Sequence, residues 1–233
     1  MFKIEYFFFL LISCLSVLSS YCILHLIFIN SKEYNLLTYN KKCYVLKNVT
    51  KSIILFIMTF YSIEKIILPG MKGEWDNTDV HTFSSAYVSN DLIGLLIVPK
   101  LPFSTKMHHL ITGSLLFYSY TIDFTENNVG RWMFIYTVMS TITFLVNTYL
   151  GLRHIRTEKE SNLNRIIDNI RVMAFYIYLV ACLINWTIHI FLISEKIYNL
   201  EYTIPYIMYS ILLIPIINDD LILMRWLYNN VNK

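Results

Sequence analysis

The chain has 233 residues, of which 56% are apolar and only 15% are charged, with a formal net charge of +3. Soluble domains carry roughly 25% charged residues, so the composition excludes a soluble globular enzyme, a disordered chain and a secreted disulfide scaffold. What remains is an integral membrane protein, with a mean hydropathy of +0.50 and a basic excess too small to suggest nucleic acid.

Seven apolar runs follow one another, at 6–29, 52–68, 84–98, 108–122, 132–152, 172–194 and 203–217. Seven membrane helices of about 20 residues would take roughly 140 residues, which leaves no room for a separate soluble domain. The expected fold class is all-α, a polytopic membrane bundle with one N-terminal helix followed by six more. Residues 1–48 are read as the N-terminal helix and a basic cytosolic loop, and 49–230 as the six-helix membrane domain.

The first run has the short basic start and the small residues (Ser19, Ser20) of a signal peptide. Its uncharged stretch continues to Ile29, and Glu5 is unusual in such a leader, so a retained helix is expected. The Lys-rich stretch 31–51 reads as a loop, and the sequon Asn48-Val49-Thr50 within it would stay unmodified on the cytosolic side. In the second run Glu64 and Lys65 fall near the luminal end, where a lysine snorkels to the interface. The fifth run reads as one helix, and the mixed-charge stretch 153–171 as a segment lying on the cytosolic surface. In the last run Pro215 predicts a kink, and Asn218-Asp219-Asp220 beyond it read as a solvated helix end.

Charge bias orients the bundle. One side holds Lys3, Lys72, Arg131 and Lys196. The other holds fourteen cations: Lys32, Lys41, Lys42, Lys47, Lys51, Lys100, Lys106, Arg153, Arg156, Lys159, Arg165, Arg171, Arg225 and Lys233. The N-terminus is therefore expected in the lumen or exterior and the C-terminus in the cytosol. The four cysteines, Cys14, Cys22, Cys43 and Cys182, show no zinc-like or redox spacing.

The chemistry concentrates between Tyr87 and Tyr120. Asp91 sits in the middle of an apolar run, where a carboxylate costs about 2.5–3.5 kcal/mol and calls for a partner inside the bundle. His108-His109 opens the next run after a turn through Pro99 and Pro102, so the aspartate and the histidines can meet on a helical hairpin. Polar residues recur at helical spacing on four runs. They are Ser84, Tyr87, Asp91 and Gly94; His108, Thr112 and Ser119; Thr137, Ser140, Thr141, Asn147 and Thr148; and Cys182, Asn185, Trp186 and His189. Such stripes either line a polar chamber or serve helix packing.

The stretch Tyr87-Val88-Ser89-Asn90-Asp91-Leu92, then His108-His109-Leu110-Ile111-Thr112, then Ser119-Tyr120, resembles the TLC domain family. That family includes translocation-associated membrane proteins and the longevity-assurance ceramide synthases. The resemblance runs from about residue 49 to about residue 230, and the segment 140–147 loosely resembles one in the smaller, non-synthase branch. It implies a multi-pass protein of the endoplasmic reticulum acting in lipid metabolism or lipid handling. In that reading His108, His109 and Asp91 are catalytic, and Tyr87, Thr112, Ser119, Asn147, Asn185 and His189 bind substrate. The reaction implied is acyl transfer from acyl-CoA to a lipid amine or hydroxyl, with no resident cofactor and no metal. Ceramide synthases carry a further HDxxD element after the His pair, whereas this chain reads Ile135-Tyr136-Thr137-Val138-Met139 there. A non-enzymatic lipid binder, a regulator of membrane composition or a cargo receptor therefore stands beside the acyltransferase. Membrane lipids, a second copy of the chain or secretory cargo are the partners implied. The six histidines lack the clustered boxes of a di-iron desaturase, and no HExxH-like metal spacing is present.

Overall fold

The computed structural model describes residues 4–126, 128–157 and 161–232. Their regular secondary structure is all helical, with no strand among them. In chain order the helices are α1 (Ile4–Phe28), α2 (Lys32–Asn35), α3 (Tyr39–Ser62), α4 (Leu68–Lys72), α5 (Asn77–Ile97), α6 (Phe103–Ser119), α7 (Val129–Thr141), α8 (Phe144–Leu152), α9 (Asn162–Tyr198) and α10 (Ile204–Val231). A π-helical turn over Ile63–Ile67 joins α3 to α4.

Local chemistry sets many of the ends. Asp76 accepts from the backbone N–H groups of Thr78 and Asp79 to start α5, Asn128 accepts from Gly130 to start α7, and Ser161 accepts from Asn164 to start α9. Gly73, at φ 77°, closes α4 in the left-handed conformation that glycine adopts without a Cβ penalty.

The chain runs back and forth between two ends of the bundle. At one end Asn77 donates to Asp123 at 2.8 Å and its side-chain oxygen accepts from the Phe124 N–H, while Arg131 lies over Trp75. At the other end Asn40 accepts from the Lys100 N–H, Tyr44 meets His154, and Arg153 lies over Trp226. The core is therefore a set of helix contacts, chiefly α1 and α3 on α5, α8 on α3 and α9, and α10 on α6 and α9.

Four helices are long and apolar enough to cross a membrane: α1, the α3–α4 rod over Tyr39–Lys72, α9 and α10. The pair α7 and α8, bent by 49°, makes a fifth if it counts as one span. The structure thus carries a helical membrane bundle with four to five such spans, fewer than the seven apolar runs. The shortfall lies in α5 and α6. Helix α6 has only 17 residues. In α5 the consecutive residues Tyr87, Val88, Ser89, Asn90 and Asp91 are all buried, so its surface meets protein rather than lipid and need not be apolar.

Several boundaries differ from the sequence reading. The stretch 31–51 is not a loop: α3 begins at Tyr39 and carries Lys47 and Lys51 into the interior, each 6% exposed. The domain boundary at 48/49 falls inside this helix. Asn48 of the sequon is buried in α3, where its side chain donates to the Tyr44 carbonyl. The fifth run is broken at Ile142–Thr143, so its polar stripe does not share one face. There the hydroxyls of Ser140, Thr141 and Thr143 donate to the carbonyls of Tyr136, Val138 and Ser140, a competition with the helical ladder that bends helices. Residues 162–171 form the first turns of α9, mostly exposed or half-buried, with Asp168 paired to Arg156 and Arg171. Helix α10 runs through Pro215 to Val231, so Asp219 and Asp220 lie within a helix and not at a solvated end. Lys3, Lys159 and Lys233, counted in the charge bias, lie outside the described residues.

Candidate functional site

A cavity of about 300 Å³ lies among α3, α5, α6, α8, α9 and α10, toward the end of the bundle that holds Lys100, Arg153 and Trp226. Three cations (Lys47, Lys51, Arg153), three carboxylates (Asp91, Asp219, Asp220) and both histidines of the pair line it. Tyr87 and Asn147 line it as well.

Helix spacing explains the convergence. Tyr44, Lys47, Asn48, Lys51 and Leu55 lie on one face of α3, and all five border the cavity. From that face Lys51 donates to Asp91 Oδ2 at 2.9 Å and to the Tyr87 carbonyl at 2.7 Å. Its ammonium also sits 4.0 Å from the centre of the Tyr87 ring, a favourable cation–π placement. Lys47 passes over Gly94, where an added Cβ would stand 2.7 Å from the lysine Cε. Its Nζ then donates to His109 Nε2 at 2.8 Å. The other ring nitrogen, Nδ1, faces Asp91 Oδ1 at 3.5 Å. A donor at Nε2 requires an acceptor lone pair there, so the proton of a neutral His109 belongs on Nδ1, toward the carboxylate. Lys51, Asp91, His109 and Lys47 thus form one continuous buried chain.

His108 points elsewhere, because neighbouring residues on a helix diverge by about 100°. Its Nδ1 lies 3.3 Å from Asp219 Oδ2, which leaves Nε2 for a ligand. Asp220, the next residue, is buried on the face that also holds Tyr209, Leu213, Ile216 and Leu227. Tyr136 donates to its Oδ2, and Tyr178 donates to its Oδ1 at 2.8 Å. A buried carboxylate needs such donors to offset its lost hydration.

The large cavity brings together Asp91, His108, His109, Tyr87 and Asn147; of the other sequence candidates, Thr112 shares an adjoining pocket of about 30 Å³ with Tyr87 and His108, while Ser119, Asn185 and His189 do not border the large cavity. Thr112 and Ser119 line a smaller pocket of about 50 Å³, next to Ser84 and Thr137. Their hydroxyls donate to the carbonyls of His109 and Leu116 within the same helix. His189 is held by the Asn185 and Trp132 carbonyls and the Tyr209 hydroxyl, at 2.8, 3.2 and 3.0 Å. Neither His189 nor Asn185 borders the large cavity; His189 links α9 to α7 and α10, and Asn185 Oδ1 is buried without a hydrogen-bond partner. No group of three His, Cys, Asp or Glu side chains suited to a metal occurs among the described residues.

Sequence reasoning missed Lys47, Lys51, Asp219, Asp220 and the two tyrosines on Asp220. The signal for the lysines was present, since 44, 47, 48, 51 and 55 repeat at helical spacing directly into the second apolar run. No family model, curated protein or solved structure matches the chain.

Proposed function

We propose that the chain is a TLC-type membrane protein of lipid metabolism that transfers an acyl group from acyl-CoA to a lipid amine or hydroxyl in this cavity. The observation that carries the reading is the His108–Asp219 pair at 3.3 Å on the cavity wall. A carboxylate within ion-pair distance of Nδ1 favours a proton on that nitrogen and leaves Nε2 basic, which is what a general base requires.

In the proposed reaction Nε2 of His108 takes a proton as the acceptor amine or hydroxyl attacks the thioester carbon. A C–N or C–O bond forms, the C–S bond breaks, and the proton passes to the departing thiolate of CoA. The Lys51 ammonium on the facing wall favours the negative charge that develops on the thioester oxygen. Asp91 and His109 line the cavity beside it, and Asp91 holds the Lys51 ammonium in place. The acyl chain enters between helices from the bilayer.

The same reading sets the chain in the endoplasmic reticulum with seven crossings, a luminal N-terminus and a cytosolic C-terminus. What supports it is the alternation of the helices between two ends and the distribution of cations. Among the described residues, with Lys47 and Lys51 removed to the interior, ten cations remain at the end assigned to the cytosol, against three (Lys72, Arg131 and Lys196) at the other.

The test gives isotope-labelled acyl-CoA to microsomes carrying the wild type or a His108→Ala/His109→Ala variant at equal expression. A labelled lipid made by the wild type alone is expected, and its structure identifies the acceptor. Matching profiles would remove the acyl-transfer reading. They would favour a non-enzymatic lipid binder or cargo receptor, for which the pairing of Lys51 with Asp91 and of Lys47 with His109 speaks. In that case lipid or cargo co-purifying with the protein in fixed stoichiometry is the expected finding.

A further inference from the structure

Lys47 stands out in the cavity because its amine has an imidazole as its close partner. Among the described residues no carboxylate lies within ion-pair distance of its Nζ, since Asp91 is engaged by Lys51 on one oxygen and faced by His109 on the other. A second ammonium buried beside Lys51, with Asp91 and Asp219 acting on it only from beyond ion-pair distance, is costly to keep charged, and the free amine is the reactive form. A free amine that donates one hydrogen to His109 Nε2 keeps its lone pair available to the cavity.

The partners then fall into the order of a nucleophile, a base and an orienting acid. Nζ is 2.8 Å from His109 Nε2, and His109 Nδ1 is 3.5 Å from Asp91 Oδ1, an ion-pair contact that falls short of a hydrogen bond. A nucleophile within about 2.6–3.2 Å of a base that is itself oriented by a third group is the arrangement of activated nucleophiles. Gly94 permits it, because any side chain there would strike the lysine stem.

We propose that Lys47 is a nucleophile that condenses reversibly with an apolar aldehyde in this cavity, with His109 as its proton carrier and Asp91 as the group that positions His109. The Nζ lone pair attacks the carbonyl carbon, and the carbonyl π pair moves onto oxygen. His109 Nε2 takes the two Nζ hydrogens in turn and returns them to that oxygen. The oxygen leaves as water, and a C=N bond joins the substrate to Lys47. No oxidant, reductant or acyl donor is consumed. An amine suits this carbonyl class because the imine hydrolyses back, whereas acylation of Nζ would give an inert amide. An apolar aldehyde suits the place, since the cavity is also walled by Leu55, Val146, Leu150 and Leu223 within a membrane bundle. The inference goes beyond the acyl-transfer reading and does not depend on it.

The test uses the intact wild-type protein in detergent micelles, with hexadecanal as the probe and cyanoborohydride to reduce any imine to a stable secondary amine. Peptide mass mapping then compares Lys47 with the exposed Lys41, Lys65 and Lys100 of the same molecules. Lys47 is expected to fill to near one adduct per chain while the exposed lysines stay largely unmodified. Labelling that instead follows solvent exposure would overturn the proposal, and this comparison needs no variant. In His109→Gln, labelling at Lys47 is expected to slow by about 100-fold, with the exposed lysines unchanged. An unaltered rate in that variant would exclude His109 as the proton carrier. Because no acyl-CoA is present, failure here leaves the acyl-transfer experiment unaffected.

Discussion

Asp91 is the residue on which the buried charge of the site depends. It accepts from Lys51 at 2.9 Å and faces His109, and the Asp91 and Lys51 side chains are 3% and 7% exposed. Removing one member of a buried pair leaves the other uncompensated, at a cost of about 3–5 kcal/mol. Asp91→Asn and Lys51→Met are each expected to lower the unfolding midpoint in detergent sharply, and the double variant to be less destabilised than the sum of the two. Strict additivity would show that the pair is not energetically coupled. Asp91 was legible in the sequence because a lone carboxylate in an apolar run is conspicuous. Lys47 and Lys51 were hidden by Lys41 and Lys42, whose company made the whole stretch read as a solvated loop. Asp220 was hidden likewise, because a polar triplet after an apolar run looks like a helix end until its tyrosine donors, from α7 and α9, are known. Partners that far away in the chain leave no local mark.

At the scale of elements, the joint between α3 and α8 positions the lysine-bearing face. Gly151 of α8 lies against α3, and a Cβ there would stand 2.8 Å from Val49 Cγ2 and 3.4 Å from the Val45 carbonyl oxygen. Close approach of backbones at a small residue is a common basis of helix association in membranes. Across the same joint Ser52 and Thr148 share a hydrogen bond of 2.5 Å. Gly151→Leu should overfill the contact and cost about 1–3 kcal/mol, read as a lower unfolding midpoint. Gly151→Ala combined with Val49→Ala should recover most of the loss, because the nearest clashing atom belongs to the valine side chain. If that pair is no better than Gly151→Ala alone, the backbone contact at Val45 sets the limit. The existence of these helices was readable from apolar runs, but the break between α7 and α8 was not. Neither proline nor glycine marks it, and only the hydroxyl-to-carbonyl bonds of Ser140, Thr141 and Thr143 reveal it.

For the molecule as a whole, α5 decides the topology. Sequence hydropathy supports it weakly as a span, because it carries Asp79, His81, Ser84, Ser85, Ser89, Asn90 and Asp91. Its neighbours resolve the difficulty. Helices α1, α3, α6 and α7 pack around it. Asn90 accepts from Tyr21 of α1 at 3.0 Å, and Ser85 shares a bond of 2.8 Å with Tyr120 beyond α6. A helix enclosed by protein that pairs most of its polar groups, here leaving Asn90 Nδ2 buried without a partner, can cross a bilayer without being apolar. Lys72 and Lys100 flank this helix and are both exposed, so their sidedness reports on α5 alone. In sealed microsomes a membrane-impermeant maleimide should label Lys100→Cys directly and Lys72→Cys only after permeabilisation, with the wild-type cysteines as background. The reverse pattern would invert the orientation while keeping the crossing. Labelling of both positions from one face would mean that α5 does not cross, and the bundle would then divide its lipid contacts among the remaining spans.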